Sequence, residues 1–223
     1  MGYLDDLKRQ ADEARARQTV DSAALERNSL VADSACQAAA RYLASLAQQL
    51  NVLQPVSKAV FRFDARNVFR DLKLSHFRAD SRMRRHRGAE VFDHVSLAFD
   101  LRTGKRVTVS KDFPPEIAKV EARLAQCGIE FHSEALYDSE DGRFLEKRYE
   151  FVADFHGAVR IVPDHDTGWI QFQVVNLEGF ETVWVRFPAF EVGTARLDDL
   201  ARWIVGQPNG FLRDGQDLKR VEA

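Results

Sequence analysis

The chain has 223 residues, of which 45% are hydrophobic and 10% aromatic, so it is long enough to bury one core of normal size. Its 32 basic and 34 acidic side chains give a net charge of −2, which argues against a general nucleic-acid binder with its strong basic excess. The start of the chain is acidic, unlike a secretory signal, and no stretch approaches the roughly eighteen apolar residues of a membrane span.

Residues 1–54 differ in composition from the rest of the chain. No glycine or proline occurs from Tyr3 to Gln54, and all sixteen Phe and all six Pro come after this segment. The first fifty residues also hold twelve alanines. Because Gly and Pro disfavour helices and Ala favours them, residues 1–54 are predicted to form a long N-terminal helical arm.

The apolar residues of this arm form a firm seam in its later part and a thin stripe in its earlier part. The seam has a 3-4 spacing and consists of Cys36, Ala39, Leu43, Leu46 and Leu50. The earlier stripe consists of Leu4, Leu7, Ala11 and Ala14. It lapses at Gln18 and Asp21, which predicts a break in the helix near residues 19–22. A thin Ala-rich stripe buries little area alone, so the arm needs a partner, either its own body or another chain.

Residues 55–208 are predicted to form an α+β domain, with an antiparallel sheet of about seven to eight strands and two covering helices. In the first half, strands are expected near Phe61 and over 77–86 and 91–101, and a three-residue loop at 103–105 leads into a further strand. The first helix begins at Pro114 and ends at Gly128.

The second half repeats this order of elements. A long strand carries Gly157 as a bulge or a point of close approach. A hairpin with Glu178 and Gly179 in its loop opposes Ile170, Phe172 and Val174 to Phe187, Val185 and Val183. A last helix begins at Thr194, and residues 209–223 read as a polar tail. The tandem ββββα order suggests an internal duplication as a hypothesis.

The segment 78–87 holds five arginines and one histidine. The alternation of charge favours the solvent face of an edge strand, where charge discourages aggregation. A nucleic-acid contact strip is the alternative, but the segment has no interleaved aromatic residues for base stacking.

Three groups pair histidine with a carboxylate: His132 with Glu134, Asp154 with His156, and the trio 164–166. Residues i and i+2 of a strand share a face, but no third ligand is identifiable, so the sequence predicts neither a metal site nor a cofactor. It also contains no nucleophile elbow and no phosphate-binding glycine loop, and it singles out no catalytic residue.

The most informative surface is the polar face of the 170–187 hairpin. The predicted register groups Trp169, Gln171, Gln173, Trp184 and Arg186, and His156 and Arg160 join them if the preceding strand is adjacent. The candidate binding residues are Trp169, Trp184, Arg160, Arg186 and His156. Three interpretations remain open: a face covered by the arm or the last helix, an interface with a partner or subunit, and a small-ligand pocket.

These patterns lead us to expect a non-enzymatic protein that binds other proteins, and itself as a homo-oligomer, through the arm and the Trp-bearing face. The alternative is a small-ligand-binding module or an enzyme with its pocket on that face. Cys36 and Cys127 each fall on the apolar stripe of a predicted helix and read as reduced thiols, which favours a cytoplasmic location. Nucleic acid and membrane are not expected partners.

Overall fold

The computed structural model describes residues 3–222, with the side chains of residues 8–10 and 21–222. The fold is α+β: an N-terminal helix, a large antiparallel sheet of seven strands, a small two-stranded sheet and further short helices. The helices are α1 (Tyr3–Leu53), α2 (Pro114–Gln126) and α3 (Thr194–Ile204). The strands are β1 (Phe61–Arg62), β2 (Val68–Phe69), β3 (Lys73–His86), β4 (Ala89–Lys111), β5 (Phe131–Tyr137), β6 (Phe144–Asp164), β7 (Trp169–Val175), β8 (Glu181–Pro188) and β9 (Gln216–Glu222).

Helix α1 is continuous, so the predicted break near residues 19–22 is wrong. The lapse in the apolar stripe does not interrupt the helix because no Gly or Pro follows to break it. The seam of the later part is confirmed, with one shift of phase. Ala47 is buried and Leu46 only half-buried, as expected for a 3.6-residue period rather than a 3.5-residue one. The stripe of Leu4, Leu7, Ala11 and Ala14 lies outside the described side chains.

The second half of α1 packs on the chain's own sheet. Its buried residues, from Ala32 to Leu50, belong to the same core as the inner faces of β3, β4 and β6. Two polar side chains of α1 also bind backbone groups at bulges in the sheet. Asn51 bonds both the N–H and the C=O of Phe77, and Asp33 accepts from the N–H of Phe92.

The main sheet has the strand order β3-β4-β6-β7-β8-β9, and β5 pairs with the first part of β6. The predicted loop at 103–105 is wrong, because β4 runs through it as one strand with a bulge. Arg102 lies opposite Asp154 and Arg106 opposite Val152. The Asp154 carboxylate accepts from the N–H groups of Thr103 and Gly104 at 2.9 Å each, which satisfies the backbone of the bulge.

Gly157 is a point of close approach, as predicted, and not a bulge. It lies opposite Phe99 in regular pairing, and a Cβ at this position would overlap the Phe99 ring. The predicted register of β7 and β8 is also confirmed, with Ile170 opposite Phe187 and Phe172 opposite Val185. The connecting loop is wider than predicted, since its closing hydrogen bond joins Asn176 to Glu181.

The end of the chain is not a polar tail. Residues 216–222 form β9, which pairs with β8 at the edge of the sheet. Phe211, just before it, is fully buried and stacks near Trp203, Phe172 and Phe187. The sequence hides this element because β9 is exposed along its whole length, so it has no apolar alternation.

The core lies on one side of the main sheet, between its inner face and the helices α1 and α3. Strands β3, β4, β6, β7 and β8 therefore have one covered face and one face directed away from the helices, whereas β9 is exposed along its whole length. No helix within residues 3–222 is both long and apolar enough to cross a membrane.

Leu43→Ala tests the packing of α1 on the sheet. Leu43 is fully buried, whereas Leu30 on the same helix is 70% exposed. We expect Leu43→Ala to lower the free energy of unfolding by about 2–5 kcal/mol, because it leaves a cavity. The control Leu30→Ala should change it by less than about 0.5 kcal/mol. Equal effects in urea unfolding would contradict the packing of α1 on its own sheet.

Candidate functional site

The polar face of the main sheet carries the candidate site. We define the outer face as two adjacent rows of opposed residues and their neighbours on the same side. The first row is Asp80, Ser96, Arg160, Gln173, Trp184 and Lys219. The second row is Arg78, Ala98, Ala158, Val175, Thr182 and Val221. Among the described residues, no helix or loop covers these rows, so the interpretation of a face covered by the arm or the last helix is wrong.

The two tryptophans of this face each lie beneath a cation. The Arg186 guanidinium is 5.3 Å from the centre of the Trp169 ring, and the Lys219 ammonium is 5.5 Å from that of Trp184. Arg186 also pairs with Asp217 at 3.2 Å. Both tryptophans are half-buried. These cation–π contacts fix the orientation of the rings in the free chain.

The structure brings four of the five predicted site residues together and separates the fifth. Trp169, Trp184 and Arg186 lie on the neighbouring strands β7 and β8, and Arg160 lies opposite Gln173 on β6. His156 shares the outer face but lies beyond the end of the β6–β7 pairing, four residues from Arg160. It belongs to a different group of side chains.

That group is centred on Asp100, a buried carboxylate in the middle of β4. His76 and His156, on the two strands that flank β4, contact its two oxygens through Nδ1 at 2.8 and 2.9 Å. Arg102 donates to it at 3.0 Å. We call these four residues the Asp100 cluster. Because an ionised carboxylate only accepts, the Nδ1 atoms are the donors.

Backbone geometry positions both histidines of the cluster. His76 has a left-handed backbone, with φ of 54°, at the bulge between Ser75 and Arg78. His156 lies directly opposite Asp100. Its carbonyl faces a gap in the sheet between β5 and β7, where the buried amide of Asn176 donates to it at 2.8 Å. The end of α2 fills the same gap, with Gly128 against the His156 ring.

Opposing effects act on the pKa of the Asp100 carboxyl. Burial would raise this pKa, but the hydrogen bonds from His76 and Arg102 and the contact with His156 lower it below its ordinary value. The side chains of His76 and His156 are 58% and 59% exposed. The cluster can therefore present two oriented imidazoles to a ligand on the outer face.

Sequence reasoning missed the Asp100 cluster, because its members come from three strands. It paired His156 with Asp154, but Asp154 binds the bulge at Thr103 instead. His132 and Glu134 share a face of β5, where they lie opposite Glu150 and Arg148. In the trio 164–166, His165 is buried and bonds the carbonyl of Phe92, while Asp166 pairs with His86 and Arg87. No local pattern signals any of these partners.

The arginine segment lies on β3, which is an edge strand of the sheet, as predicted. Arg84 lies 3.7 Å from Asp93, and Arg87 lies 2.9 Å from Asp166. Arg78, Arg82 and Arg85 are exposed, and no carboxylate of the described chain lies within ion-pair distance of them.

The described residues contain no group of three or more His, Cys, Asp or Glu side chains arranged to hold a metal ion. A cleft of about 420 Å³ lies elsewhere, between the β1–β2 loop and the end of β4, around Asp64, Lys111 and Glu116. Its charges are paired internally, with Lys111 3.4 Å from Asp64 and 3.8 Å from Glu116.

Comparison with known proteins does not narrow the choice of site. No protein family, curated protein or solved structure matches this chain. We therefore infer the function from the geometry of the outer face and of the Asp100 cluster.

Asp100→Asn tests the cluster through its dependence on pH. A carboxyl whose folded pKa is lowered stabilises the fold above its ordinary value of 3.8, and this contribution is lost as the pH falls through the folded value. We expect the variant to be less stable than the unmodified chain by about 1–3 kcal/mol at pH 7.

Below pH 3.8 this difference should shrink, because protonated Asp100 then resembles Asn. Urea unfolding from pH 7 to pH 2.5 measures it, and Asp80→Asn, at an exposed carboxylate on the same face, is the control. A difference that does not change with pH would contradict the role of Asp100 as the ionised centre of the cluster.

Proposed function

We propose that this chain is a non-enzymatic protein-binding protein whose binding surface is the outer face of its sheet. The observation that carries the proposal is the openness of this face, which spans six strands and holds Trp169 and Trp184. Antiparallel sheets tolerate one solvated face, but such a face is ordinarily polar throughout. Trp and Arg are enriched where a surface meets a partner, and here they stack on each other in the free chain.

The length of α1 supports a second element of the proposal, which is self-association. The first described contact of α1 with the sheet is at Asn28, whose amide donates to the carbonyl of Asp166 at 2.8 Å. The helix begins at Tyr3, so about 25 residues, or roughly 38 Å, precede that contact. Because a long helix owes most of its stability to packing, pairing with the same segment of a second chain would stabilise it.

We further propose a cytoplasmic location. Cys36 and Cys127 are free and buried, and burial raises the pKa of each thiol to about 12. Inert, reduced thiols of this kind suit a reducing compartment.

The alternative proposal is a small-ligand-binding module or an enzyme with its site on the same face. Its residues are Trp169, Trp184, Arg160, Arg186 and His156. The structure separates His156 from the tryptophans, so a ligand contacting all five residues must extend across the sheet. This geometry fits a polymer segment better than a compact metabolite.

Light scattering of two chains tests the self-association. The full-length protein is compared with a chain that begins at Ser22, which keeps the described contacts of α1 with the body. We expect an oligomer for the full-length protein and a monomer for the shorter chain. Trp184→Ala in the full-length protein should leave the oligomer intact, because the projecting helix and not the outer face holds it. Monomers in every case would refute self-association.

A further inference from the structure

Some basic side chains of the outer face form ion pairs with carboxylates, and others do not. Arg186 is paired with Asp217, Arg84 with Asp93, and Arg102 with Asp100. Four other cations on this face have no carboxylate within ion-pair distance in the described part of the chain. They are Arg78, Arg82, Arg160 and Lys219, of which Arg160 lies 3.3 Å from Nδ1 of His94 and helps to lower the pKa of the nearby Asp93 carboxyl. The chain as a whole has a net charge of −2, whereas these four cations lie together on one face.

These cations lie on different strands and are therefore spread across the width of the sheet. Arg160 and Lys219 lie in one row on β6 and β9, three strand spacings apart, which is about 14 Å. Arg82 extends the positive charge to β3, at the opposite edge. An extended chain that crosses the strands rises about 3.3 Å per residue, so it brings every fourth residue near successive cations of the row.

Beside the row of Arg160 and Lys219, on the side away from Arg82, lies a row of small and apolar side chains. Ala98, Ala158, Val175 and Thr182 lie opposite one another across four neighbouring strands. Together with the half-buried Trp184, these side chains form a shallow apolar surface beside Arg160 and Lys219. Gln171 and Gln173 offer both donors and acceptors beside it, which suits the backbone of a peptide.

We infer that the outer face binds an acidic, extended segment of a partner protein, with Arg82, Arg160 and Lys219 facing its carboxylates. This inference rests on the proposed protein-binding function and names the chemistry of the partner. It also excludes a second copy in face-to-face contact, because that arrangement would bring unpaired cations together.

Two observations favour an acidic peptide over single-stranded nucleic acid. The rings of Trp169 and Trp184 are each covered by a cation of the same chain, so they are not free platforms for base stacking. Asp80, Asp164 and Asp217 are interleaved with the cations and would repel a continuous phosphate backbone. A peptide with spaced carboxylates avoids these aspartates.

Fluorescence anisotropy on the full-length protein tests the inference with three labelled probes of equal length. They are a peptide of alternating Glu and Thr, the matching peptide of Lys and Thr, and oligo(dT). We expect only the Glu-Thr peptide to bind, with an affinity that falls as salt is added. Arg82→Gln, Arg160→Gln and Lys219→Gln should each weaken it roughly two- to fivefold, and the triple variant by roughly tenfold or more.

Arg41→Gln is the matched control, because Arg41 is an exposed arginine of α1, on the other side of the sheet. It should leave the affinity unchanged, and unfolding midpoints should show that all the variants fold. An equal loss of affinity in Arg41→Gln would overturn the inference, since it would mean that binding follows net charge alone.

Each of the other outcomes overturns the inference, and together they show whether the proposed function fails with it. Preferred binding of oligo(dT) assigns the face to nucleic acid and refutes both. A dimer that dissociates in the triple variant, seen by light scattering of the chain from Ser22, assigns the face to a second copy. Binding of the Lys-Thr peptide alone, lost in Trp184→Ala, overturns the acidic partner but retains a protein-binding face. If no probe binds, the acidic partner is refuted, while self-association through α1 is judged by its own experiment.

Discussion

The rest of the structure depends on the packing of α1 against the inner face of β3, β4 and β6. Its stripe from Ala32 to Leu50 closes the core over strands that would otherwise expose Phe77, Leu97 and Phe99. The same helix provides partners for backbone groups at two bulges of the β3–β4 ribbon, with Asn51 bonding Phe77 and Asp33 bonding Phe92. Buried backbone groups without partners are costly, so these bonds fix how the helix lies along the ribbon. The second half of the arm is therefore part of the core.

This packing gives the sheet two unlike faces. The inner face is closed by α1, α2 and α3, and the outer face is left to solvent with Trp169, Trp184 and four cations that lack a carboxylate within ion-pair distance in the described chain. The Asp100 cluster lies at one end of the outer face, where a bulge on β3 and a gap between β5 and β7 bring His76 and His156 to the same carboxylate. The closed face accounts for stability, and we assign binding to the open one. We propose that the start of α1 adds self-association, which would place two such faces in one assembly.

Local periodicity predicts much of this fold. The seam of α1 and the register of Ile170 with Phe187 were both readable, because apolar spacing reports directly on which face is buried. The grouping of Trp169, Gln171 and Trp184 followed from that register. The features that the sequence did not predict depend on contacts between residues that are far apart in the chain. The bulge at 103–105 resembles a turn until Asp154 is known to bind it, and β9 resembles a tail because both of its faces are exposed. The members of the Asp100 cluster come from three strands, so no local spacing in the sequence predicts the cluster.

The central claim is that the outer face is open in the free chain and available to a partner. Hydroxyl-radical footprinting of the three tryptophans, read by mass spectrometry, tests it most directly. Trp203 on α3 is only 2% exposed and provides an internal reference for a buried ring. In the chain beginning at Ser22, we expect Trp169 and Trp184 to be oxidised several times faster than Trp203. Protection of Trp169 and Trp184 equal to that of Trp203 in the monomer would contradict it.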